Sequence, residues 1–181
     1  MKYLSALLIF CGVAVLGVGG FIYSGAYQIG ADVPHTTPVS WVLEILRERS
    51  IERAARDIPV PELDDSQLLL AGGPDYNEMC SGCHLEPGRT ESDMSVGLYP
   101  APPDLTTHDE EEEHGETQAA ARQFWIIKHG IKATGMPAWG PTHDDQRIWA
   151  MVAFLQKLPE LSELQYQILT ARGEDDSGHA H

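Results

Sequence analysis

The residues with the most chemistry in this chain are Cys80-Ser81-Gly82-Cys83-His84. Two of only three cysteines stand three positions apart, and an imidazole follows directly behind the second. Four chemistries use such a pair. A redox dithiol needs a βαβ setting, and none surrounds it. A zinc site needs a second ligand pair, which the sequence lacks, and His84 lies too close to close one tetrahedral shell with the two thiolates. A disulfide across two residues is strained. C-x-x-C-H is instead the specific pattern for covalent attachment of haem c. Both thiols then add to the two vinyl groups, the spacing sets both sulfurs at one porphyrin edge, and His84 becomes the proximal iron ligand. The expectation is one haem c, bound through Cys80 and Cys83.

A sixth ligand has to come from the other side of the iron. Met79 adjoins the attachment motif and cannot reach it. Met94 lies on a loop expected to wrap the proximal side, and Met151 sits on the apolar face of a helix and reads as core. His129 ends a helix, His143 is near a helix start, His108 and His114 flank an acidic run, and His179 and His181 are in the tail. Met136 stands in Gly135-Met136-Pro137-Ala138-Trp139-Gly140, between two helices. Pro137 biases it toward an extended conformation that projects the thioether. The sequence therefore favours Met136, with a histidine or an open site as the alternative.

The elements that must hold these residues are all helical. Helices are expected at about 65–71 and 74–80, interrupted at Gly72-Gly73-Pro74. Others are expected at 118–129 with Gly130 as a stop, at 142–158 ended by Pro159, and at 162–172 capped by Ser162. Residues 81–107 read as loop, and Asp109–Glu113 as a solvated acidic run. No alternating β pattern is present, so the fold class is all-α with long loops. Haem would fill the middle of so small a core.

Upstream, Leu4–Tyr23 carries no charge over 20 residues, enough to span the roughly 30 Å of a bilayer as a helix. Lys2 precedes it, so the positive-inside bias leaves the N-terminus in the cytoplasm. The alternative is a signal peptide cleaved before Tyr27, but the run exceeds an ordinary signal core. Either way the remainder is exported. A further helix is expected over 39–56, with Pro38 at its first turn. Its apolar and Arg positions share a side, which reads as a stiff spacer or a docking element. The resulting division is 1–26 anchor, 27–62 periplasmic linker with a helix, 63–160 haem domain, and 161–181 last helix and disordered tail.

The formal net charge is -15. Residues 1–58 carry five basic and five acidic side chains, and residues 59–181 carry seven and 22, so the latter hold all of it. Such a surface repels nucleic acid and anionic lipid and suits a basic protein partner.

Over about Asp65–Leu158 the sequence resembles a class I cytochrome c, most closely the membrane-anchored bacterial monohaem members. The resemblance rests on Cys80–His84, the Met136-Pro137 loop, Gly72-x-x-x-Tyr76-x-x-x-Cys80, Phe154 in the last domain helix, and Tyr99-Pro100-Ala101-Pro102-Pro103-Asp104-Leu105. It implies the class I fold around one covalent haem, a crossing of the first and last helices, and a Pro103 carbonyl that accepts a hydrogen bond from the His84 imidazole. It also implies one-electron transfer in a bacterial respiratory chain at the outer face of the cytoplasmic membrane. Partners would be a quinol-oxidising complex or dehydrogenase upstream and an oxidase or copper protein downstream. The rivals are a fixed subunit of a larger membrane oxidoreductase and a haem ligand sensor with an open sixth site.

Overall fold

The computed structural model describes residues 2–107 and 116–171. The acidic run 109–113, His108, His114 and the tail with His179 and His181 lie outside them. All regular elements among the described residues are helices: α1 (Lys2–Ser24), α2 (Thr37–Ala55), α3 (Ser66–Met79), α4 (Ser81–His84), α5 (Asp93–Gly97), α6 (Glu116–His129), α7 (Asp145–Lys157) and α8 (Glu163–Thr170). A single 3-10 turn, Leu158–Glu160, follows α7. The chain forms two compact units, Met1–Pro34 and His35–His181.

The first unit is essentially α1, which buries none of its residues and is long and apolar enough to cross a membrane. With no polar face to show to water, it needs an apolar surrounding.

The second unit is built on the crossing of α3 and α7. A Cβ at Gly72 would run into the Ala150 carbonyl, and one at Gly73 into the Leu169 carbonyl of α8. The two glycines therefore serve as the contact surface where α7 and α8 close on α3, and they do not break it. The expected interruption at Gly72-Gly73-Pro74 is absent: α3 runs on through Pro74. Tertiary packing has overridden the weak local propensity of these residues. Below the crossing, Tyr76 packs on Phe154 at 5.4 Å between ring centroids and edge-on to Tyr166 at 6.3 Å. The buried Asp75 carboxylate receives Arg147 Nε and Nη2 at 2.6 and 2.8 Å, which locks α3 to α7 a second time.

A second core joins α6 to α7 through Phe124, Ile127, Ile148, Met151 and Val152. Phe124 stacks on Trp149 at 4.2 Å. Met151 is buried there as expected of a core residue. The start of α7 falls at Asp145, three residues later than its periodicity suggests, because Asp144 caps it by accepting from Arg147 N at 2.8 Å. Ser162 caps α8 in a reciprocal box with Gln165, which is the arrangement that satisfies two free helix N–H groups at once.

The two ends of α2 behave differently. Ile51 and Ala55 are buried, and Ile58 and Val60 pack on the α6–α7 core. Trp41, Val42 and Leu46 of its first turns are exposed. Residues 81–107 carry two short helices, α4 and α5, in a stretch expected to be loop. The α5 turn is set by Ser92 and Ser95, which cap each other's backbone.

Candidate functional site

The C-terminus of α3 delivers the cysteines. Cys80 N donates to Tyr76 O at 2.9 Å, and α4 begins at once, so Cys80, Cys83 and His84 sit on one tight helical turn. Leu85 then turns the chain in the left-handed region, φ 69°. A leucine there is strained. The Tyr76 hydroxyl holds the turn by donating to Leu85 O at 2.7 Å and His84 O at 3.3 Å.

Burial, and after it the Asp75 carboxylate, pushes the Cys80 thiol up to about 12. It is a neutral thiol, not a thiolate poised for redox exchange or metal binding. Cys80 and Cys83 are not joined as a disulfide. Among the described residues no group of three or more His, Cys, Asp or Glu side chains is placed to hold a metal ion, so the pair has no partners for a zinc shell.

His84 Nδ1 lies 2.9 Å from Pro103 O. A carbonyl oxygen only accepts, so Nδ1 carries the proton and Nε2 presents its lone pair. Burial lowers the His84 pKa, with the Pro103 hydrogen bond acting in the opposite sense. Both conditions suit a neutral ligating imidazole.

All these groups face one cavity of about 420 Å³. Its walls include Cys80, Cys83 and His84 from the attachment turn and Met136, Pro137 and Trp139 from a separate loop, together with Ile126, Ile127 and Leu155. Pro103 lines it as well. Of the other ligand candidates among the described residues only Met79 reaches its wall. Met94 is exposed on α5, His129 is exposed against Trp125, and His143 is buried against Trp139 with Nδ1 at 2.8 Å from Thr142 Oγ1. Residues predicted from three separate stretches of sequence are thus brought to one place.

The Met136 loop is fastened to the end of α6. Gly130 ends that helix at φ +64°. Trp139 N donates to Ile127 O at 3.0 Å, Gly140 N to Lys128 O at 2.9 Å, and Ile131 N to Met136 O at 3.2 Å. The last carbonyls of a helix have no partner within it. Here the returning loop supplies partners for two of them, and that fixes where Met136 stands. Thr134 Oγ1 accepts from Met136 N at 3.1 Å.

Haem fits this cavity on its chemistry: two free thiols, a neutral imidazole oriented by a carbonyl, an otherwise largely apolar wall and a thioether on a separate loop. Sequence reading missed the ionic part of the lining, Arg47, Glu48 and Arg122. No motif marks them, since α2 and α6 meet only in the folded chain.

The all-helical fold fits a class I cytochrome c domain, and the family match supports a c-type monohaem cytochrome. Residues 67–155 match the family described as cytochrome c oxidase, cbb3-type, subunit III. That stretch contains nearly all of α3 and α7, the attachment turn and the Met136 loop, but not α2 or α8. A domain of this kind carries covalently bound haem c and transfers electrons. No curated protein and no solved structure matches the chain.

Proposed function

We propose that this protein is a membrane-tethered one-electron carrier of a bacterial respiratory chain. Its single haem c would be held by Cys80 and Cys83 and ligated by His84 and Met136. The observation that carries the reading is the shared cavity: the attachment turn, the oriented His84 imidazole and the fastened Met136 loop all line it. When bound, the haem iron supplies the ferric–ferrous couple, and a His/Met ligand pair raises its potential. The chain's own residues do the rest. Pro103 O keeps the His84 proton on Nδ1. Ile126, Ile127 and Leu155 exclude water, and the α6 carbonyls hold the Met136 loop in place.

Residues 1–26 would serve as a retained anchor in the cytoplasmic membrane, with the haem domain (63–160) in the periplasm. A tether raises the effective concentration near membrane partners without adding contacts. The partners would be a quinol-oxidising complex or a dehydrogenase as donor and an oxidase or copper protein as acceptor. The family description favours a second reading, a fixed cytochrome subunit of a larger membrane oxidoreductase. Co-purification of a stoichiometric partner in mild detergent would select that reading over a free shuttle.

The ligand assignment is tested with Met136→Ala. The oxidised variant should lose the weak far-red sulfur-to-iron charge-transfer band, bind carbon monoxide when reduced, and keep its haem, because the thioethers are untouched. Met94→Ala and His143→Ala should keep the band. A band that persists in Met136→Ala rejects Met136 as the ligand.

A further inference from the structure

Among the described residues, the charged and titratable side chains that line the cavity are Arg47 and Glu48 from α2, Arg122 from α6, and Cys80, Cys83 and His84. Glu48 contacts both arginines. Arg47 Nε donates to Glu48 Oε1 at 2.8 Å, and Arg122 Nη2 donates to Glu48 Oε2 at 2.6 Å. Glu48 thus bridges two guanidinium groups, and the cluster keeps one net positive charge. Arg47 and Arg122 bring this charge to the cavity wall, where it calls for an anionic partner.

Haem carries its two vinyl groups on one edge and its two propionates on the opposite one. Thioether bonds at Cys80 and Cys83 therefore direct the carboxylates away from the attachment turn. Among the described residues the only cations lining the cavity are Arg47 and Arg122.

We infer that Arg47, Glu48 and Arg122 form a carboxylate seat for a haem propionate. The helix α2, outside the stretch matched by the family, is thereby part of the cofactor site as well as of the link to the anchor. This rests on the haem reading above. Glu48 belongs to the device because it tunes it. Burial alone would raise its carboxyl pKa, but hydrogen bonds from Arg47 and Arg122 hold it below the usual range. It stays charged and takes up one of the two positive charges, so the seat binds one carboxylate and is not strongly cationic when vacant.

The test uses the full-length protein in detergent, with covalent haem verified by the alkaline pyridine spectrum. The midpoint potential is recorded from pH 4 to 9 in chloride and in phosphate buffer. A propionate held by a guanidinium ionises at lower pH, and an adjacent arginine typically depresses a carboxyl pKa by about 1–3 units. Arg122→Gln should therefore raise the propionate step of the profile by about one pH unit or more, and Arg122→Lys by less. Glu48→Gln removes the competing carboxylate and keeps both guanidiniums, so it should move the step down. A clamp that only joined α2 to α6 would be loosened by both changes and would not shift the step in opposite directions. A step that stays put, or moves the same way in both variants, overturns the seat. So does a wild-type step that depends on phosphate concentration, since the anion would then come from solution. A wild-type protein without covalent haem overturns the parent reading and this one with it. Haem present with unmoved steps refutes the seat alone.

Discussion

Gly130 is the residue through which the Met136 loop can be loosened without touching a ligand. Its φ is +64°, where a side chain costs about 1–2 kcal/mol. A Cβ there would also stand 2.7 Å from Ala138 N and Pro137 C and 2.8 Å from Met136 O. All three atoms belong to the loop, so the strain in Gly130→Ala is relieved by moving the loop off α6. That movement breaks the Ile131–Met136, Trp139–Ile127 and Gly140–Lys128 backbone bonds. If 1–2 kcal/mol is released only when the loop detaches, the detached population rises about 5–30-fold. Imidazole titration of the oxidised protein reads this population, because an exogenous ligand enters only when Met136 is off the iron. Its apparent affinity should rise by the same factor, and the far-red band should weaken without vanishing. Gly97→Ala is the control: a Cβ there meets nothing within 4 Å. An imidazole affinity within twofold of wild type, in a Gly130→Ala protein that is measurably destabilised, would refute the coupling of this glycine to the ligand loop.

Three other outcomes are expected. Tyr76→Phe leaves the Leu85 and His84 carbonyls without their shared donor and should cost about 1–3 kcal/mol in denaturant unfolding; a loss under about 0.5 kcal/mol would mean that the hydroxyl does not hold the turn. Because the folded Glu48 carboxyl is held below its usual range, the unfolded chain takes up that proton first. Stability should then fall as pH drops below about 4.3, and Glu48→Gln should flatten part of that fall in acid titrations followed by circular dichroism. Electron exchange with a partner of basic docking face should slow as salt rises, since residues 59–181 hold the entire net charge of -15 and the Debye length is only ~8 Å at physiological salt; a stopped-flow rate that is flat or rising with ionic strength would exclude such a partner.

Much of the candidate site was legible because covalent attachment has a rigid local geometry. Two thiols and an imidazole must fall on one turn, so Cys80, Cys83 and His84 announce themselves within five residues. Met136 was found by elimination plus the extended bias before Pro137. It lines the cavity with the predicted residues, and so does Met79, which elimination by position had set aside. Helix ends carrying their own signals, Gly130 and Ser162, fell where expected. The misreadings share a different cause. Gly72, Gly73 and Pro74 are poor helix formers, yet α3 continues through them because α7 and α8 need to approach its backbone there. The role of Arg47 was equally hidden. Its neighbour Glu48 pairs with Arg122, 74 positions away, and no local pattern encodes a contact of that separation.

The two walls of the cavity hang on different helices but share one support. The attachment turn continues from α3, and the Met136 loop is bonded to the end of α6. Both helices pack on α7. Ile148, Met151, Val152 and Phe154 of α7 are almost completely buried, and Leu155 on the same helix lines the cavity itself. The span from Cys80 to Met136 is therefore fixed by rigid contacts through a close-packed core, which resists small displacements. The α3 side is set by backbone approach at Gly72 and by the Asp75–Arg147 pair. The α6 side is set by Phe124 on Trp149 and by Lys128 Nζ at 2.5 Å from Asp145 Oδ1. An electron carrier gains from such a frame, because ligand distances that barely change between oxidation states leave little nuclear rearrangement to accompany each transfer. The proposed iron–thioether ligation would in this way be governed from α7, a helix that contributes no ligand.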